Sequence, residues 1–199
     1  MLVAATVAFA GDGLPETRAQ EQQPPHEFSL SYGQIGLSEI FIGMGNYTVG
    51  GENVDYDNYF GPLNLQYFYR KKPWKLIGIQ ATYFYDSCGF HYSKAEDSPD
   101  GYMNERNKHH CFSLMPAVKY NYLRKKHFGM YSGASLGVLM VRYNCVRGDV
   151  EHTDKYMFYP IFQLSLLGLE GGGQRLRGFM DIGFGEQGVL QFGLRYRLD

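Results

Sequence analysis

Residues 175–199 read RLRGFMDIGFGEQGVLQFGLRYRLD, and their alternation decides the fold. In the second arm Leu190, Phe192, Leu194, Tyr196 and Leu198 form one face, with Gln191, Gly193, Arg195 and Arg197 on the other. An unbroken period of two is the mark of a strand with unlike faces. The first arm sets Gly178, Met180, Ile182 and Phe184 against Arg177, Phe179, Asp181 and Gly183, and Gly185 to Gly188 supplies the turn. A soluble barrel would bury the apolar row and leave the arginines in water. A barrel in lipid does the reverse, apolar outside and polar within, and a continuous apolar row opposed by arginines and an aspartate fits that arrangement.

Composition agrees. The net charge is −1 and the chain holds 17 Tyr, 14 Phe and one Trp. That balance gives no basic field for nucleic acid. The surplus of tyrosine suits positions half in oil and half in water. A mean hydropathy of −0.33 excludes a helical membrane protein but not a barrel, because half of each barrel strand is polar. No run approaches the ~18 consecutive apolar residues of a spanning helix.

The chain divides into three parts. Residues 1–19 are expected to be a secretory leader, with an apolar core over Met1 to Ala10 and cleavage after Thr17-Arg18-Ala19; its basic start would lie upstream of Met1. Residues 20–26 read as a polar, Pro-rich linker, and 27–199 as one barrel domain.

Within the domain six more alternating stretches precede the last hairpin. They lie near Phe28–Tyr32, Phe60–Arg70, Ile77–Asp86, Phe112–Tyr122, Met130–Val141 and Phe158–Leu166. With the hairpin they make an eight-stranded, antiparallel, up-and-down barrel. Long connections over 34–59, 87–108 and 145–155 alternate with short ones over 71–74, 123–127 and 170–174; the short 185–188 turn alone breaks the pattern. A helical turn is expected at Ser38 to Met44.

Opposed residues of a hairpin must share a side. Folding about Lys72 pairs Tyr67 with Ile77, about Lys125 Tyr120 with Met130, about Gly172 Leu166 with Gly178, and about Gln187 Phe184 with Leu190. All four keep the apolar face in phase. The outward aromatics also sort into two girdles. Tyr67, Tyr69, Trp74, Tyr120, Tyr122, Phe128 and Tyr196 lie toward the short turns, and Phe60, Tyr83, Tyr85, Phe112, Phe158 and Phe184 toward the long loops. An aliphatic band separates them.

These residues resemble the small eight-stranded outer-membrane barrels of the OmpA, OmpX and OmpW type, and the outer-membrane β-barrel domains common in Bacteroidetes-like Gram-negative bacteria. The resemblance covers about Phe28 to Leu198. Its sharpest motif is the C-terminal signal read by the barrel-assembly machinery, filled here by Gln191, Gly193, Tyr196 and Leu198, although the family usually ends on an aromatic residue. The resemblance implies a monomer in the cell outer membrane that contacts its lipids, and a structural or surface-interaction role toward a surface protein or host ligand. It implies no nucleic acid, cofactor or metal.

Strand polarity puts Arg70, Lys119, Arg177, Arg195 and Arg197 inside near the short-turn end, Gln163 and Asp181 higher, and Asp86 near the loop end. Buried charges must be paired, so these are expected to form a polar network that plugs the lumen. Two other roles stay open. A narrow, anion-leaning pore would use the same arginines. A lipid-A-modifying enzyme would use His109 or His110 with Ser87 and Asp86 or Glu105, as rim histidines do in some eight-stranded barrels. Of the cysteines Cys88, Cys111 and Cys145, in-phase pairing of Tyr85 with Leu114 sets Cys88 opposite Cys111 and suggests a disulfide there.

Overall fold

The computed structural model describes residues 24–37, 40, 54–93, 102–147 and 151–199. The strands are β1 (His26–Gln34), β2 (Val54–Lys72), β3 (Lys75–Ser93), β4 (Tyr102–Arg124), β5 (Phe128–Arg147), β6 (Glu151–Gly172), β7 (Leu176–Gly185) and β8 (Leu190–Leu198). Each pairs antiparallel with the next, and β8 returns to β1, closing the barrel. Closure leaves no free edge within the closed band, which is why a sheet can stand in lipid.

The barrel is inside out. Leu30, Leu65, Leu136 and Leu194 are 53 %, 59 %, 66 % and 59 % exposed, whereas Arg195 and Arg197 are 0 % exposed. Both girdles are present as rows of touching rings. Phe28 packs on Tyr67 and Trp74 stacks on Tyr120 at one end; Tyr32, Phe60 and Tyr83 follow one another at the other. This is a transmembrane β-barrel.

The faces agree with the sequence reading, but the registers do not. Tyr67 pairs with Ile79, Tyr120 with Ser132 and Ile182 with Leu190, each two positions from expectation. In the β6–β7 hairpin Leu164 lies opposite Phe184, a shift of four. These shifts are even and keep the same side chains outward; across a bulge the shift turns odd, as where Gly178 pairs with Gly171, five positions from the expected Leu166.

Strand lengths differ more than expected. β1, β7 and β8 have 9, 10 and 9 residues, while β2 to β6 have 19 to 23. The loops expected at 87–108 and 145–155 are mostly ladder, pairing up to Ser93 with Tyr102 and Arg147 with Glu151. Above the bilayer both faces of a sheet meet water, so the apolar period fades while the hydrogen bonds continue.

The leader and residues 20–23 lie outside the described residues, as does most of the Ser38–Met44 stretch. Within it, the described Ile40 donates to the Gly36 carbonyl at 3.1 Å, one helical turn. The linker ends earlier than expected. His26 already belongs to β1, and the Pro24 and Pro25 carbonyls accept hydrogen bonds from Arg70.

Candidate functional site: two lumen layers and a projecting wall

Five of the expected inward charges come together at the end that carries the short turns. Two glutamates that the sequence reading left out organise them. Glu27 of β1 receives Arg70 and Lys119 in close ion pairs, and the Arg197 Nε–H at 3.0 Å. Glu170 of β6 receives Arg177 at 3.1 Å, and Arg195 and Arg197 at 2.5 Å each. Arg195 also donates to the Ser29 hydroxyl at 3.0 Å and lies between the Tyr131 and Phe179 rings, 4.7 and 4.4 Å from their centroids. Lys119 sits over Phe68 and Tyr131. Aromatic faces take up part of the charge that the carboxylates leave unmatched.

A bulge puts Glu170 in this layer. Ser165 pairs with Gly183 but Leu167 with Ile182, so β6 carries one extra residue there. Below it Gly168 and Glu170 turn inward, in the phase that strict alternation assigns to the lipid face. Gly168 is needed for closeness: a Cβ there would stand 2.1 Å from the Tyr131 ring that carries Arg195.

A second layer, built largely from side-chain amides, lies higher up in the interior. The β7–β8 turn folds inward, with Glu186 and Gln187 buried. The Gln187 N–H donates to Gln163 Oε1 at 2.8 Å, Gln66 donates to Gln187 Oε1 at 3.1 Å, and the Gln163 amide reaches the Gly188 carbonyl at 3.3 Å. This is the short connection that broke the loop pattern. It does not reach outward because it fills the barrel. Gln191 accepts from Ser31 below it.

Asp181 and Asp86 are buried outside the ion-pair layer. Asp86 Oδ2 lies 3.9 Å from His109 Nδ1. Adjacent residues of a strand point apart, and His110 accordingly faces outward, against the Tyr83 hydroxyl at 3.1 Å and the Tyr85 ring. The inward Ser113 hydroxyl has no hydrogen-bond partner among the described residues, and the side chain of Glu105 lies outside them. Among the described residues no three His, Cys, Asp or Glu side chains gather as a metal site.

The expected Cys88–Cys111 disulfide does not form. Phe84 and Val141 flank Cys111, a free buried thiol, and Cys88 pairs across β3–β4 with Asn107. The four-residue offset is about 13 Å along a strand, beyond the ~7 Å Cα limit for a disulfide. An even register shift left the faces intact and moved the cysteines apart. Of the residues expected to form an assembly signal, Tyr196 and Leu198 point outward and Gln191 is fully buried in the lumen.

Beyond the loop-side girdle the closed barrel opens into a five-stranded wall. β1 pairs with β2 only as far as Tyr32 with Leu63, and β7 with β6 only as far as Gly185 with Gln163. Above those points β2 and β6 have no outer strand partner among the described residues. Each edge carries a proline where it begins, Pro62 and Pro160, which removes a donor from the edge. Tyr159, expected inward, is exposed because no neighbouring strand covers β6 there. On the outer face Arg142 grips Asp154 with two hydrogen bonds, of 3.0 and 2.8 Å.

These features define an eight-stranded transmembrane barrel with two layers of polar side chains in its interior and a projecting sheet. No family model matches the sequence, and neither does any curated protein. Two crystal structures of Ail, the attachment invasion locus protein of Yersinia pestis, are similar to it at 11 % identity. Each alignment covers 87 % of this chain and 95 % of Ail, with TM-scores of 0.43, for Ail in complex with the heparin analogue sucrose octasulfate, and 0.39. At these values the likeness is too slight to transfer a ligand or a role.

Proposed function

We propose that this protein is an integral outer-membrane barrel that works by surface contact, with its lumen closed and the β2–β6 wall as its working part. The observation that carries this reading is the difference in strand length. About 9–11 tilted residues cross a bilayer, so β1, β7 and β8 do no more than cross. β2 to β6 run to roughly twice that, a rigid sheet with two edges to which an extended segment of a partner can add. The ion-pair layer and the inward turn both support a closed lumen over a conducting one. With that orientation the short turns face the periplasm and the assembly signal lies on the last strand.

The test compares cells expressing the full chain with cells in which residues 144–154 are replaced by a short Gly-rich turn. Retention on a surface coated with serum proteins is expected to fall with the shortened wall. The barrel in the outer-membrane fraction should still shift in gel mobility on boiling. Equal retention by both would remove the contact role; absence of the heat shift in the full chain would remove the barrel.

A further inference from the structure

The charges at the turn end do not balance. Arg70, Lys119, Arg177, Arg195 and Arg197 share Glu27 and Glu170, and no side chain among these seven is more than 8 % exposed. Counting the nearby buried Asp181 leaves five cations against three carboxylates, a surplus of two. Arg177 is answered by the Gly173, Lys125 and Lys126 carbonyls. Arg197 is not fully answered. Its Nε and Nη2 are taken by the two glutamates, and its buried Nη1 has no hydrogen-bond partner among the described residues.

The surroundings of Arg197 are cationic. Arg70 and Arg197 share the Glu27 Oε1 atom, and Arg177 and Arg197 share Glu170 Oε1. Arg70 and Arg124 each donate from Nη1 to the Pro73 carbonyl, which draws two guanidinium groups together over one neutral oxygen. A buried donor without an acceptor is costly, and so are like charges converging in low dielectric. An anion with several oxygens removes both penalties, because it accepts from several guanidinium forks at once.

We propose that the turn end of the lumen is a binding site for a phosphate-type oxyanion, with Arg197 Nη1 as inner donor and Arg70 and Arg124 as the rim. Free inorganic phosphate and the phosphate of a lipid headgroup share this chemistry. Trp74, next to Pro73 and the chain's single tryptophan, stacks on Tyr120 in the girdle at this end, so a headgroup can lie beside the rim. The inference is independent of what the wall contacts.

The purified full-length barrel in maltoside micelles, which hold no phosphate, is titrated calorimetrically with sodium phosphate at constant ionic strength. Saturable binding of one phosphate per chain is expected. Arg124→Gln, on the half-buried rim, should weaken it at least fivefold, and Arg197→Gln should abolish it. If Arg197→Gln fails to give the heat-dependent gel shift of a folded barrel, Arg124→Gln decides alone. Dihexanoyl phosphatidic acid competing more tightly than phosphate assigns the site to a headgroup; equal or weaker competition assigns it to the free anion. No saturable heat in the folded wild type, or unchanged affinity in Arg124→Gln, overturns the proposal.

Discussion

The two ends of this barrel carry different side-chain layers. At the turn end the layer is ionic and draws side chains from β1, β2, β4, β6, β7 and β8, so nearly every strand is tied to the centre. At the loop end the main component is a single inward turn held by side-chain amides. Beyond it only five strands continue. The ionic layer is therefore a property of the closed ring, whereas the wall can vary without opening it. Crossing the bilayer and projecting from it are separate tasks, carried by different stretches of the same strands.

The largest effect should come from removing a shared carboxylate. Glu27→Gln or Glu170→Gln strips at least three cations of a common partner and leaves them buried. The expected cost is about 3–5 kcal/mol, the range for breaking a buried pair from one side. It should appear as a lower urea midpoint for the folded gel species in micelles. The two losses should not add, because Arg195 and Arg197 connect the glutamates. A shift no larger than surface substitutions give would mean that the ring is held by its ladder alone.

The amide layer should be weaker. Gly188 has φ +101°, and a Cβ there would lie 2.6 Å from the Gln34 carbonyl. That carbonyl is the one that receives the Val189 N–H and ends β1. Gly188→Ala is expected to cost about 1–3 kcal/mol, the range for one residue forced into a rare backbone region. The same midpoint measurement applies, and hydrogen exchange at Gln187 should quicken while the Arg195 amide stays protected. Loss of protection at both would show the layers to be one cooperative unit.

The faces of the barrel were legible in the sequence because period two needs no register. Leu136 outward and Arg195 inward follow from parity alone. Register was not legible, because parity survives any even shift, and the expected Cys88–Cys111 contact failed for that reason. Glu27 was within reach, one step back along the Ser29–Ser31 row, but a first strand begun at Phe28 left it out. Glu170 was out of reach, since the bulge that turns it inward has no local signature. Gln187 was read only as part of the short Gly185–Gly188 turn; the tertiary fold alone brings Gln66 and Gln163 to meet it. The site was thus half legible, its cations from alternation and its carboxylates only from the closed barrel.

The smallest effect should lie on the wall, at the best-formed ion pair outside the membrane band. Asp154 accepts two hydrogen bonds from Arg142, and that grip holds its carboxyl below the ordinary aspartate value. A carboxyl depressed by folding contributes stability above its unfolded pKa, and the contribution is lost as pH falls through the folded one. Both partners are in water, however, and salt screens them. Asp154→Asn should therefore leave the urea midpoint unchanged within error at neutral pH. The carboxyl resonance, followed by NMR, should titrate below a free aspartate in low salt, move toward it at high salt, and reach it in Arg142→Gln. If Asp154→Asn instead lowered the midpoint as much as Glu170→Gln, the wall would be part of the cooperative fold, and the separation between the crossing ring and the projecting sheet would fail.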